Sequence, residues 1–169
     1  MNNLFSRSQD LQRSAMYVLG SWATVNIISG AIGTLKSSGS TKYFHQMNAG
    51  WNLVNFAIAG ASLYSLSTTD PFSLSSSEIF GKMNNLDKFL LLNAGLDLGY
   101  IATGAWLWER GLRKGSERLT GYGKSLMMQG GFLLIFDGIF YALHSPLTGQ
   151  LAETGLTVEI AFNSVRIHF

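Results

Sequence analysis

The stretch FLLLNAGLDLGYIATGAWLW, residues 89–108, decides how the rest of the chain is read. It opens on a full apolar turn, Phe89-Leu90-Leu91-Leu92, and carries a single charged side chain, Asp97. A helix rising ~1.5 Å per residue needs about 20 residues to cross ~30 Å of hydrocarbon, which is the length of this window. Gly95, Gly99, Ala102 and Gly104 lower its hydropathy, but small residues are what lets helices approach one another in lipid. A water-facing helix would show a charged face, and none is present.

Three more windows have the same character: 14–35, 43–66 and 125–144, where Asp137 is the only charge. The second contains Phe56-Ala57-Ile58-Ala59-Gly60-Ala61, an unbroken apolar run. The predicted fold is therefore an all-α membrane protein, a four-helix transmembrane bundle over residues 1–145, followed by a tail over 146–169. A soluble four-helix bundle is the competing architecture, and it lacks the polar outer face it would require.

Composition agrees. Of 169 residues, 47% are apolar and 13% charged, against roughly 25% charged in soluble domains. The net charge of +2 leaves no basic face for nucleic acid. The absence of Cys excludes thiol nucleophiles, Cys-ligated metals and disulfides.

The connections place the helices. Lys36-Ser37-Ser38-Gly39-Ser40 and the Gly111 to Ser116 region are short basic turns, whereas the Ser67 to Lys88 connection is long. It breaks at Asp70-Pro71 and restarts at Ser75-x-x-Glu78, a capping-box spacing. A short interfacial helix through Ile79, Phe80, Met83 and Leu86 is expected to lead into the third span. The first and third connections hold Lys36, Lys42, Arg110, Arg113, Lys114, Arg118 and Lys124 of the 12 basic residues. By the positive-inside rule these loops face the cytoplasm and both termini face away from it. Residues 1–14 contain no signal-peptide pattern to assist that crossing.

Asn48-Ala49-Gly50-Trp51-Asn52-Leu53 recurs as Asn93-Ala94-Gly95-Leu96-Asp97-Leu98, with a fainter echo at Gln129-Gly130-Gly131-Phe132. Copies in consecutive spans would be inverted, as in many transporters. Close helix packing selects the same residue types, so Gly95-x-x-x-Gly99 also reads as a packing face.

The strings GSWATVNIISGAIG (20–33), GSTKYFHQMNAGWNLVNFAIAG (39–60), LNAGLDLGYIATGAWL (92–107) and GYGKSLMMQGGFLLIFDGIFY (121–141) resemble an uncharacterised family of small bacterial four-span membrane proteins. The resemblance runs from Met16 to His144, and its most specific element is Tyr43-Phe44-His45-Gln46-Met47-Asn48. It implies the bundle, a bacterial cytoplasmic membrane and a leader before the first span, and it carries no activity.

Candidate chemistry rests on polar residues inside the spans. Asn48, Asn52 and Asn55 share one helix face, as do Asn93, Asp97, Tyr100 and Gly104. Asn26, Asn55 and Asp97 fall near the midplane, with Asn93 and Asp137 further outward. A carboxylate there costs at least ~2.5 kcal/mol, so Asp97 and Asp137 should face the interior and bond to Asn26, Asn52, Asn55 or Tyr100. This polar cluster is the expected site for a proton, cation or polar solute in a small transporter or channel. The alternatives are a structural or assembly protein in which the same groups only hold helices together, and an intramembrane enzyme using Asp97 and Asp137. His45 is read as an interfacial hydrogen-bonding residue, and His144 falls at the opposite membrane face. No hydrolase, zinc, P-loop or dinucleotide fingerprint is present, so no catalytic residue, cofactor or metal is expected.

After Pro146 the pattern alternates: Val158, Ile160, Phe162, then Val165, Ile167, Phe169, with a phase slip at Asn163-Ser164. This predicts a short C-terminal β-hairpin over 157–169. The expected partners are the bilayer and a second copy or another membrane protein, met through small-residue faces and the tail.

Overall fold

The computed structural model describes residues 2–70 and 73–166, with side chains described for 3–70 and 73–154. The described residues form four helices: α1 (Asn2–Lys36), α2 (Gly39–Thr68), α3 (Ser76–Lys114) and α4 (Glu117–Arg166). Each is longer than its apolar window, and at ~1.5 Å per residue even α2 outspans a bilayer core.

The boundaries follow local chemistry. Ser75 accepts the Glu78 N–H at 3.4 Å while Glu78 Oε2 accepts the Ser75 N–H at 2.8 Å, so the expected capping box starts α3. From there the helix does not pause, and Ile79 and Met83 belong to its first turns rather than to a separate interfacial helix. Both are buried against Phe5, Leu147 and Leu151, so their burial holds the segment in line with α3. Gly115 ends α3 in the left-handed region, φ 62°, where a Cβ would be strained.

The bundle exposes large apolar side chains and buries polar ones beside its apolar core. Leu35, Val25, Phe56, Phe89, Ile135 and Ile139 are exposed, whereas Asn52, Gln129, Ser125 and His144 have no accessible surface. Water would reverse that distribution, and hydrocarbon favours it. Three helices are long and apolar enough to cross a membrane: Asn3–Lys36, Ser76–Lys114 and Glu117–Thr154. The α2 helix carries three buried asparagines, Asn48, Asn52 and Asn55, which lower its mean hydropathy, yet it exposes Leu53, Val54, Phe56 and Ile58.

Helix α3 packs along α4 and α1 along α2, with α2 also against α4. Among the described residues the α2 and α3 backbones nowhere approach within 8 Å. The α3–α4 seam is built on glycine: a Cβ on Gly123 would overlap the backbone N of Trp108 and the carbonyl O of Gly104. The expected packing face at Gly95 and Gly99 is corrected by this seam, since both open onto free space.

The C-terminal hairpin is also corrected: α4 stays helical through Pro146 to Arg166. Once a helix is nucleated each added residue gains one bond, whereas a lone hairpin would need a partner sheet. Leu147, Thr148 and Leu151 are buried on the helical period just past the proline, which anchors the extension. Residues 167–169, including His168, lie outside the described residues.

Candidate functional site

The gap between α2 and α3 is a cavity of about 230 Å³. Trp51, Asn55 and Ile58 line it from α2, Asn93, Asp97 and Tyr100 from α3, Phe136 and Asp137 from α4, and Leu19 from α1. Trp51 and Tyr100 meet edge-on across it, ring centroids 4.8 Å apart. The two carboxyls, Asp97 from α3 and Asp137 from α4, face the same cavity. Two buried carboxyls lining one small cavity are suited to holding a proton or a small cation. Asp97 is 2% exposed, and its Oδ2 receives no N–H or O–H among the described residues. No Lys or Arg lines the cavity.

The expected cluster thus divides in two. Asn55, Asn93, Asp97, Tyr100 and Asp137 share the cavity, whereas Asn26 and Asn52 belong to a neighbouring network. There Asn48 Nδ2 donates to Asn26 Oδ1 at 2.8 Å, Asn26 Nδ2 to the Trp22 carbonyl at 2.8 Å, and Asn52 Nδ2 to the Asn48 carbonyl at 2.9 Å. Gln129 Nε2 donates to Asn48 Oδ1, and Gln129 Oε1 accepts from Trp22 Nε1 at 3.2 Å. Asn55 Nδ2 donates weakly to Asn52 Oδ1, 3.4 Å, and joins network to cavity. The network crosses α1, α2 and α4, so the carboxamides satisfy one another and not the aspartates.

His45 is half-buried at the other end of α1 from His144. Its ring sits where a Cβ on Gly33 would fall, and its Nδ1 is buried with no partner among the described residues. His144 meets Ser8, ~38 Å away along α1 at ~1.5 Å per residue, so the two histidines cannot share a site. Trp106 and Trp108 lie under Arg110 and Lys124, 5.0 and 5.3 Å from ring to cation, on the end where the basic loops gather.

A second buried cluster has no signature in the sequence. His144 Nδ1 lies 2.6 Å from Asp87 Oδ1, and Nε2 lies 2.6 Å from Ser8 Oγ. Ser8 stands in a polar N-terminal arm and Asp87 beside Lys88, and only the docking of α1 and α3 on α4 brings them together. Gln129 was likewise legible only as part of a faint repeat.

No group of three or more His, Asp or Glu side chains among the described residues is placed to hold a metal. No curated protein and no solved structure matches the chain. One family model does, over residues 18–138, a region that contains Asp97, Asp137 and the asparagine network and leaves Ser8 and His144 outside. With most of its length in that match, the chain belongs to DUF6992, a family of unknown function.

Proposed function

We propose that this chain is a four-span protein of a bacterial cytoplasmic membrane, both termini outside, that carries protons or small cations through the α2–α3 gap. The observation that supports it most is the presence of both Asp97 and Asp137 in the wall of one cavity free of Lys and Arg. A carboxyl pair buried away from bulk water is costly, and such groups in membrane bundles mark ion and proton pathways. Asn55, Asn93 and Tyr100 add the neutral oxygen and N–H groups that replace part of a hydration shell. The bilayer is the partner this reading requires, and a second copy can pack on the exposed apolar faces.

The asparagine network supports a different role for its own residues. Asn26, Asn48, Asn52 and Gln129 bond to one another or to backbone, which is how interhelical polar groups hold a bundle together.

The test is flux into liposomes that hold the purified full chain, under a proton or sodium gradient with a membrane potential. Wild-type flux is expected to exceed the leak of empty vesicles and to scale with the amount of protein reconstituted. Asp97→Asn and Asp137→Asn should return flux to background, while the exposed Asp10→Asn should not. Wild-type flux equal to that of empty vesicles, or flux untouched by Asp97→Asn, would overturn the proposal.

A further inference from the structure

Ser8, Asp87 and His144 use none of the cavity residues, and their geometry is chemical in its details. An ionised carboxylate only accepts hydrogen bonds, so the His144 nitrogen facing Asp87, Nδ1, carries the proton. In neutral imidazole that leaves Nε2 as the acceptor, and the Ser8 hydroxyl donates to it at 2.6 Å. Hydroxyl, imidazole and carboxylate bonded in this order, on these two nitrogens, let imidazole take the hydroxyl proton while the carboxylate fixes its tautomer. Gln12, one turn along α1, directs an amide N–H to Ser8 Oγ at 3.1 Å, which occupies an acceptor site of the hydroxyl and leaves its proton for Nε2.

The surroundings separate into two compartments. On one side an apolar groove of about 330 Å³ runs between α1 and α4, walled by Leu11, Ala15, Ile139, Phe140 and Leu143. Ile139 and Leu143 are exposed on the lipid-facing surface. Phe140 presses edge-on against the His144 ring, centroids 6.1 Å apart. On the other side a polar cavity of about 290 Å³ is lined by Gln9, Gln12, Ser65, Thr69, Lys82 and Asn85. The neighbours of Ser8 one turn on, Leu11 and Gln12, belong one to each compartment. A hydrocarbon chain suits the first, and a polar head, anionic beside Lys82, suits the second.

We propose that Ser8, His144 and Asp87 form a serine-nucleophile site that hydrolyses an acyl ester taken from the lipid phase, with Gln12 orienting the Ser8 hydroxyl. Ser8 Oγ bonds to the ester carbonyl carbon as its proton passes to His144 Nε2. The carbon–oxygen bond to the alcohol then breaks, and the leaving oxygen takes that proton. Water adds to the acyl group on Ser8 and gives a proton to His144. The bond to Oγ breaks, the proton returns to Oγ, and a carboxylic acid leaves. Ester and water become acid and alcohol with no change of oxidation state. Ser8 and His144 have no exposed surface in this state, so an ester reaches Oγ only after side chains around it move.

The test is covalent labelling of the full wild-type chain in nanodiscs of phosphatidylcholine and phosphatidylglycerol, with a long-chain alkyl fluorophosphonate, mapped by mass spectrometry. Labelling is expected at Ser8 above every other serine. His144→Gln and Asp87→Asn should slow it at least about a hundredfold, within the range for loss of a group from such a constellation. A short-chain probe should label more slowly than the long-chain one. Folded wild type that takes no label at Ser8, labelling that His144→Gln leaves unchanged, or a short-chain probe as fast as the long one would each overturn the proposal. The decisive arm is wild type, so a variant that fails to fold cannot mask the answer, and the liposome flux of Asp97 variants reports on the cavity independently.

Discussion

The bond between Gln129 and Asn48 ties α4 to α2, and its worth follows from the network around it. Gln129 is sealed from solvent; its Nε2 donates to Asn48 Oδ1 and its Oε1 accepts from Trp22 Nε1 at 3.2 Å. Gln129→Leu keeps apolar bulk and deletes both bonds. Interhelical hydrogen bonds among membrane-buried side chains contribute ~0.6 kcal/mol on average and ~1.7 at most, so two lost bonds cost ~1.2 to 3.4 kcal/mol. Asn48→Leu deletes the same bond, the one to Asn26 Oδ1 at 2.8 Å, and two long ones at 3.5 Å, to the Asn26 carbonyl and from Asn52 Nδ2, for at least a similar cost. The double variant then loses the shared bond once instead of twice, and its destabilisation falls short of the sum by ~0.6 to 1.7 kcal/mol. Equilibrium unfolding of the full chain in mixed micelles, followed by tryptophan fluorescence, measures all corners of the cycle. Additivity within ~0.3 kcal/mol would refute the reasoning, because it would mean the two side chains do not act on each other.

Two further outcomes are expected. Gly123→Ala should destabilise the bundle by ~1 to 3 kcal/mol, the range for overpacking, because its methyl meets the backbones of Trp108 and Gly104 and no flexible side chain can yield; Gly95→Ala, which opens onto free space, should change the same unfolding midpoint little, and equal effects would remove the seam argument. With no native Cys to interfere, single cysteines at Ser38 and Ser116 should resist a membrane-impermeant maleimide added outside intact cells; labelling of either from outside would reverse the proposed orientation.

Helix number, order and turns were legible in the sequence because each rests on neighbours along the chain. Charge-free windows mark where lipid can surround a helix, Gly115 marks where α3 must end, and Ser75 with Glu78 marks where it begins. The burial of Asp97 was legible for the same reason, since a carboxylate inside an apolar window has nowhere to go but inward. Its partner was not. Asp97 shares its cavity with Asp137, and not with Asn26 or Asn52, because the α3–α4 seam closes through Gly104 and Gly123 while α2 stands off from α3. The tail misled because alternation of Val, Ile and Phe is also compatible with a helix already propagating, and the burial of Leu147 and Leu151 settles the contest before the alternating stretch begins. Ser8, Asp87 and His144 lie 57 to 136 residues from their partners. No local pattern could announce them, and only the crossing of three helices sets a hydroxyl, an imidazole and a carboxylate in one line.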